Sequence, residues 1–238
     1  MTTIRLFVEG PLQSGATFSL PAAAARHAQV RRVQPGDSLC LFDGSGAEWA
    51  ARVEAMGRSD VVVQLGAAQP VDRELPFPVT LAVGMPANER MDALVEKATE
   101  LGVACVQPLL CERSVLRLAG ERAERKQAHW QAIAVAASEQ CGRTKVPRIA
   151  PVRSLLSWLA EPGSGGQRLL LSPDPQAAPL RTFPAAATVA LSGPEGGLAP
   201  AEQQAAQAAG FIATGLGPRV LRADTAPLAL LSWLALHG

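Results

Sequence analysis

The sequence predicts an all-β amino-terminal domain joined to a larger α/β domain built on a parallel sheet. Three observations carry this reading. Residues 1 to 70 hold short apolar runs separated by turn signals, the pattern of a small barrel or sandwich. From residue 79 onward, apolar strand-length runs alternate with helical periodicity, which implies strands crossed over by helices. Two of the later strands end in glycine-rich turns, Gly193-Pro-Glu-Gly-Gly197 and Gly215-Leu-Gly217. Such turns at the carboxyl ends of neighbouring strands are where an open α/β sheet binds its ligand. The expected domains are 1–70 and 79–238, with a stiff linker at 71–78 near Pro70, Pro76 and Pro78.

In the first domain the strand candidates are Ile4 to Val8, Ser38 to Phe42, Trp49 to Val53 and Val61 to Leu65, with a short helix over Arg26 to Val33. Gln34-Pro-Gly-Asp37 and Asp43-Gly-Ser-Gly46 supply turns. In the second, Val79 to Val83 reads as a strand. Met91, Leu94, Val95, Ala98 and Leu101 mark one face of a helix, which Asn88 can cap and Gly102 can close. Val103 to Leu110 is a strand and Glu121 to Gln140 a helix with Trp130, Ile133, Ala134 and Ala137 on one face. A short helix at Ser154 to Ala160 and strands at Arg168 to Ser172, Thr188 to Ser192 and Phe211 to Leu216 follow. Pro200 to Ala209 is a helix with proline at a favoured first position but Ala199, a poor cap, before it. The last helix is apolar nearly all round, which predicts burial in the core or against another subunit. Gly163-Ser-Gly-Gly166 reads as a flexible surface loop.

Composition narrows the function. At 48% hydrophobic and 18% charged over 238 residues, the chain reads as globular, and no apolar run is long enough to span a bilayer. No secretory h-region is present, and Cys40, Cys105, Cys111 and Cys141 form no CxxC pair, so a reducing cytoplasm with buried thiols is expected. Net charge is +1, but Arg113 to Arg153 is locally basic. Aromatic residues make up 4% with no tyrosine, so any nucleic acid would be held through phosphates and shape, without extensive base stacking.

Motif searches exclude more than they find. Gly193 to Gly197 is not GxGxxG, and no GxxxxGK[ST] loop exists. The three histidines, His27, His129 and His237, all lie far in sequence from the glycine turns, where a nucleophilic triad would need one. No metal site is expected. What remains is a ligand held by backbone groups, with Glu195, Arg219, Arg222 and Asp224 close by. These residues alone do not select the ligand, and a small-molecule α/β enzyme binding a nucleotide or phosphate would use the same turns.

Five segments in order then carry a resemblance: Pro86 to Val103, Cys111 to Ser114, Ser138 to Arg143, Leu191 to Gly197, and Leu216 to Ala226. Together they are similar to the bacterial ribosomal RNA methyltransferases that make N3-methyluridine in small-subunit RNA. Those enzymes belong to the SPOUT superfamily, whose α/β domain carries a carboxyl-terminal trefoil knot and binds S-adenosylmethionine. His27, Val30, Arg32, Gly36-Asp37, Leu41 to Gly44 and Gly46 resemble that family's PUA-like RNA-binding β-barrel. The resemblance implies a cofactor cradle of Leu171, Ser172 and Pro173, then Gly193, Pro194, Glu195, Gly196 and Gly197, then Leu216, Gly217, Val220 and Leu221. It also implies a homodimer whose knotted faces meet, with ribosomal RNA or the assembled small subunit as partner. Arg222 is the candidate for stabilising charge on the uracil, with Glu195 positioning the base, taking its proton or bracing the turn. Arg32, Arg113, Arg143 and Lys145 are the expected phosphate contacts, and Glu100 and Glu139 are candidates for holding Arg143 or RNA. Asp224 stands where many family members have Glu, Arg31 where leucine is usual, and Ala199 where a capping serine is usual.

Overall fold

The computed structural model describes residues 3–161, 163 and 165–238, so Ser164 of the Gly163 to Gly166 loop lies outside the described residues. The chain divides into two compact units, residues 1–74 with 138–146, and residues 75–137 with 147–238.

The first unit contains β1 (Ile4–Phe7), β2 (Thr17–Ser19), α1 (Ala22–Val30), β3 (Ser38–Phe42), β4 (Ala47–Met56) and β5 (Val61–Pro70). They form one mixed sheet in the order β1-β3-β4-β5-β2, with β1 parallel to β3 and the other pairs antiparallel. No pairing joins β1 to β2 among the described residues, so the sheet is open at its two edges. Along β4 the side chains alternate, Trp49, Ala51 and Val53 inward and Ala50, Arg52 and Glu54 outward, as a half-buried strand requires. Val61 and Val63 of β5, Leu39 and Leu41 of β3 and Leu6 of β1 meet them in one core, closed by Ala24, Ala25 and Ala28 of α1.

Helix α1 begins four residues before the expected start because Ala22 to Ala25 are strong helix formers. It stops at Val30 because Arg32 turns left-handed (φ 57°), which lets the Val33 amide reach back to the Ala28 carbonyl at 3.2 Å. The Arg5 guanidinium ties in residues 138–146 by donating to the Gly142 and Arg143 carbonyls at 3.2 and 3.1 Å.

The second unit follows the alternation read from the sequence: β6 (Val79–Gly84), α2 (Asn88–Glu100), β7 (Cys105–Leu110), α3 (Gly120–Cys141, whose end belongs to the first unit), β8 (Arg148–Ile149), β9 (Arg153–Ser154), α4 (Leu155–Leu159), β10 (Gln167–Leu171), β11 (Ala178–Pro179), β12 (Thr188–Ser192), α5 (Pro200–Ala208), β13 (Ile212–Gly215) and α6 (Thr225–His237). The two-residue strands β8, β9 and β11 carry too little pattern to be read from sequence. Every pairing is parallel, in the order β11-β13-β10-β12-β6-β7-β8 with β9 also on β7.

Helix α2 buries Met91, Leu94, Val95 and Ala98 completely, each of the larger three contributing on the order of 1.5–3 kcal/mol. It starts at Asn88, so Ala87 and not Asn88 occupies the cap position. Ser154 caps α4, accepting from the Ser157 amide at 3.1 Å. Helix α6 is only half buried: Leu230, Leu231 and Leu234 are covered, while Leu236 is 81% exposed. No helix among the described residues is long and apolar enough to cross a membrane.

Candidate functional site

Strand register brings three loops together. Leu170 of β10 lies beside Leu191 of β12 and Ala213 of β13, so the chain leaves all three strands at one edge of the sheet. After β10, the Ser172 amide donates to the Thr214 carbonyl at 3.0 Å, and Ser172 Oγ accepts from the Asp174 amide at 3.2 Å, fixing the first loop. After β12, the Gly197 amide closes a turn on the Pro194 carbonyl at 2.8 Å, with Gly197 at φ 68°, a conformation costly for any side chain. Behind this turn Gly84 ends β6. A Cβ there would lie 2.5 Å from Pro194 Cδ and 2.6 Å from its nitrogen. After β13, the Thr225 and Ala226 amides both donate to the Arg222 carbonyl at 3.0 Å, opening α6.

The loops enclose a cavity of about 500 Å³, within the size range of small-molecule sites. Leu171, Ser172, Pro173, Gly193, Pro194, Glu195, Gly197, Leu216, Gly217, Val220 and Leu221 all line it, as do Arg219 and Arg222. Gly196 does not, because it faces Arg113, whose Cβ lies 3.0 Å from where a Cβ on Gly196 would stand. Apolar wall comes from Leu170, Leu171, Leu198 and Leu221.

Charged side chains on the rim fall into two sets. Arg113 Nη1 donates to the Gly196 carbonyl at 3.1 Å, and Glu195 Oε1 accepts the Ala87 amide at 3.0 Å with Arg90 Nη1 at 3.4 Å. Glu195 is therefore a brace joining the glycine turn to the start of α2. Arg219 and Arg222, both exposed, have no ion-pair or hydrogen-bond partner for their guanidinium groups among the described residues. Neither Asp224 nor Glu195 pairs with Arg222.

Glu202 went unrecognised in the sequence. Buried to 5% exposure, it accepts the Glu112 amide at 2.8 Å and the Ala199 amide at 2.9 Å. This supplies the half of a capping box that needs no side chain at Ala199, and it offsets that poor cap. Its place three residues after the cap position was the available signal. Cys111, at the end of β7, is 3% exposed, and burial pushes its thiol up to about 12. It belongs to packing, not to nucleophilic chemistry. No cluster of metal-ligating side chains occurs among the described residues.

Of the expected phosphate contacts, Arg32 and Lys145 in the first unit and Arg113 in the second are exposed. Arg143 is a correction. It is 4% exposed, and its guanidinium is gripped by Glu74, with Nε donating at 3.0 Å, so it fastens the chain after α3 and has little surface to offer a phosphate. Glu100 and Glu139 do not hold it. Glu100 pairs with Lys97 at 2.8 Å, and Glu139 accepts the Phe7 amide at 2.9 Å and faces His27 Nδ1 at 3.0 Å. Burial holds the Glu139 carboxyl above the ordinary range despite these partners.

Comparisons with known proteins agree with this architecture. Residues 73–235 match an RNA methyltransferase domain, and residues 20–66 match an RNA methyltransferase PUA domain. Ribosomal RNA small subunit methyltransferase E of Bacillus subtilis is 30% identical over 96% of this chain and 94% of its own length. The Synechocystis protein of the same name is 34% identical over 91% and 72%. Among solved structures, a ribosomal RNA small subunit methyltransferase E from Neisseria gonorrhoeae bound to S-adenosyl methionine superposes with TM-score 0.92 at 34% identity, covering 99% of this chain and 98% of that one. A Legionella pneumophila protein in complex with the bound cofactor SAM gives 0.94 at 34% identity, with the same coverage. The chain belongs to the ribosomal RNA small subunit methyltransferase E family of RNA methyltransferases.

Proposed function

We propose that this protein transfers a methyl group from S-adenosylmethionine to N3 of one uridine in small-subunit ribosomal RNA. The observation that carries the proposal is the cavity of about 500 Å³ at the carboxyl ends of β10, β12 and β13. Its walls fit the cofactor: main chain from three turns for polar recognition, leucine side chains for a purine face, and a buried hydroxyl on Ser192 with no partner among the described residues. When bound, S-adenosylmethionine supplies a methyl on a sulfonium centre, open to in-line attack.

The residues of the chain do the rest. Uracil N3 must lose its proton before it can attack, and the resulting charge spreads over the flanking carbonyl oxygens. Arg222, free of carboxylate partners at the cavity rim, stabilises that charge, as a donor aimed at developing negative charge does. Glu195 acts chiefly by holding the glycine turn against α2, which fixes the cradle before the substrate arrives. Arg113 has the same bracing duty toward Gly196 and also presents its exposed edge to phosphate. Arg32 and Lys145 contact phosphates in the β-rich unit.

Under this reading residues 1–70, joined by 138–146, form the PUA-like RNA-binding domain, 71–78 a linker and the rest of 79–238 the catalytic domain. The loops around the cavity then form the trefoil knot, and the protein works in the cytoplasm as a homodimer, with the exposed side of α6 around Leu236 at the subunit contact. Mass spectrometry of ribosomal RNA from a strain lacking the gene tests the function. Loss of one methyluridine, restored by the wild-type protein, is expected; an unaltered modification profile refutes it.

A further inference from the structure

Ser192 ends β12 and lines the cavity, 3% exposed. Its Oγ is buried and has no hydrogen-bond partner among the described residues. The neighbours explain why. Register sets Ser192 beside Val83 on β6 and, one step past the Leu170–Leu191 pair, beside Leu171 on β10, so both flanking side chains are hydrocarbon. Two other polar side chains on the wall are engaged: Ser172 Oγ accepts from the Asp174 amide at 3.2 Å, and Gln203 Nε2 donates to the Leu198 carbonyl at 3.1 Å. Four buried side-chain polar atoms lack a partner among the described residues, on Arg5, Trp49, Ser192 and Asp224. Ser192 is the one of these residues that lines the cavity.

A hydroxyl left unpaired in an apolar interior destabilises a fold, and native proteins pair nearly all such groups. No described group of the protein gives this oxygen a partner in the ligand-free state. We infer that Ser192 Oγ hydrogen-bonds the S-adenosylmethionine bound in this cavity, making it a side-chain affinity determinant on the buried part of the wall. This rests on the proposed function and assigns a contact that the glycine-turn pattern does not contain.

The test compares wild type with Ser192→Ala in two measurements, calorimetric titration with S-adenosylmethionine and thermal unfolding without ligand. Loss of one neutral hydrogen bond should weaken binding by roughly three- to tenfold. The ligand-free melting temperature should hold or rise, because the variant removes an unpaired polar group. Unchanged affinity in the variant overturns the inference. So does a lowered ligand-free melting temperature with wild-type affinity, which would mean that the hydroxyl serves the fold through a buried water. Wild-type protein that takes up no S-adenosylmethionine would bring down the proposed function itself, a failure visible before any variant is made.

Discussion

Replacing Gly84 by alanine tests how tightly the cavity wall is determined by backbone packing. The new Cβ would stand 2.5 Å from Pro194 Cδ, 2.6 Å from Pro194 N and 3.0 Å from Cys111 Sγ. Optimal carbon contacts lie near 3.5–4.0 Å, so the glycine turn or the end of β6 must retreat by about 1 Å. Two of the three obstacles belong to a proline ring in a turn already pinned by Gly197 and Glu195, and the third is the Sγ of Cys111, which is itself 3% exposed. Overpacking of this kind costs about 1–3 kcal/mol, which for a chain of this size lowers the melting temperature by roughly 2–12 °C. The same displacement shifts Gly193 to Gly197 on the cavity side, and a misplacement near 1 Å costs on the order of 10²-fold in turnover. Gly165 is the matched control, since nothing lies within 4 Å of its Cβ direction and its φ is not in the left-handed region. Differential scanning calorimetry and a tritiated-methyl transfer assay read both effects. A Gly84→Ala protein that melts and turns over like Gly165→Ala would refute the argument that this contact sets the wall.

Arg222→Ala should lower methyl transfer by roughly 10²–10³, the scale of losing one charge-stabilising donor, with S-adenosylmethionine affinity little changed. Collapse of cofactor affinity with unaltered turnover of the bound complex would show that Arg222 only shapes the cradle. Arg32→Gly should act in two opposite directions: stability rises by up to about 1 kcal/mol as the left-handed strain at φ 57° is relieved, while RNA binding weakens and its salt slope flattens. Arg32→Ala and Lys145→Ala should flatten the slope too, and an unchanged slope in both would remove these residues from the interface. Burial alone would raise the Glu48 carboxyl, but hydrogen bonds and charge from Arg5 at 2.5 Å and Arg73 at 3.4 Å outweigh it and hold its pKa below the ordinary 4.5. A depressed folded-state value gives stability that is present above 4.5 and lost as pH falls below it. Glu48→Gln should therefore lose stability at neutral pH and show a shallower acid decline below 4.5 in melting curves. A variant with the wild-type acid slope would show that the ion pair contributes nothing there.

The elements most legible in the sequence were those whose burial follows a strict period. Met91, Leu94, Val95 and Ala98 are all fully buried in α2, and Thr188 to Ser192 is a strand buried on both faces. Where propensity and period competed, boundaries moved. Ala22 to Ala25 have no amphipathic pattern of their own, so the periodic Arg26 to Val33 segment drew the α1 prediction too far along the chain. Helix α6 shows the converse problem: apolar residues all round give no face to orient it, and the structure covers one side and leaves Leu236 bare.

The cavity divides along the same physical line. Glycines announce places where backbone must bend or approach closely, so the turns after β12 and β13 were visible as local sequence, whereas the loop at Leu171 to Pro173 holds no glycine and came only with the family resemblance. The braces that hold those turns were not, because each joins residues far apart in the chain: Glu202 to Glu112 across 90 positions, Arg113 to Gly196 across 83, Glu195 to Ala87 across 108. Arg143 was misread for a related reason. A run of basic residues looks like a phosphate-binding surface until the carboxylate that neutralises one of them, here Glu74 at a separation of 69, is in place. By that criterion a cation is available to substrate only if the fold has left it unpaired. At the cavity rim Arg90 is paired with Glu195 and Arg113 gives one donor to the turn with no carboxylate partner, whereas Arg219 and Arg222 have no side-chain partner among the described residues. The division of labour between scaffold and chemistry is thus set by which arginines the chain folds back to satisfy.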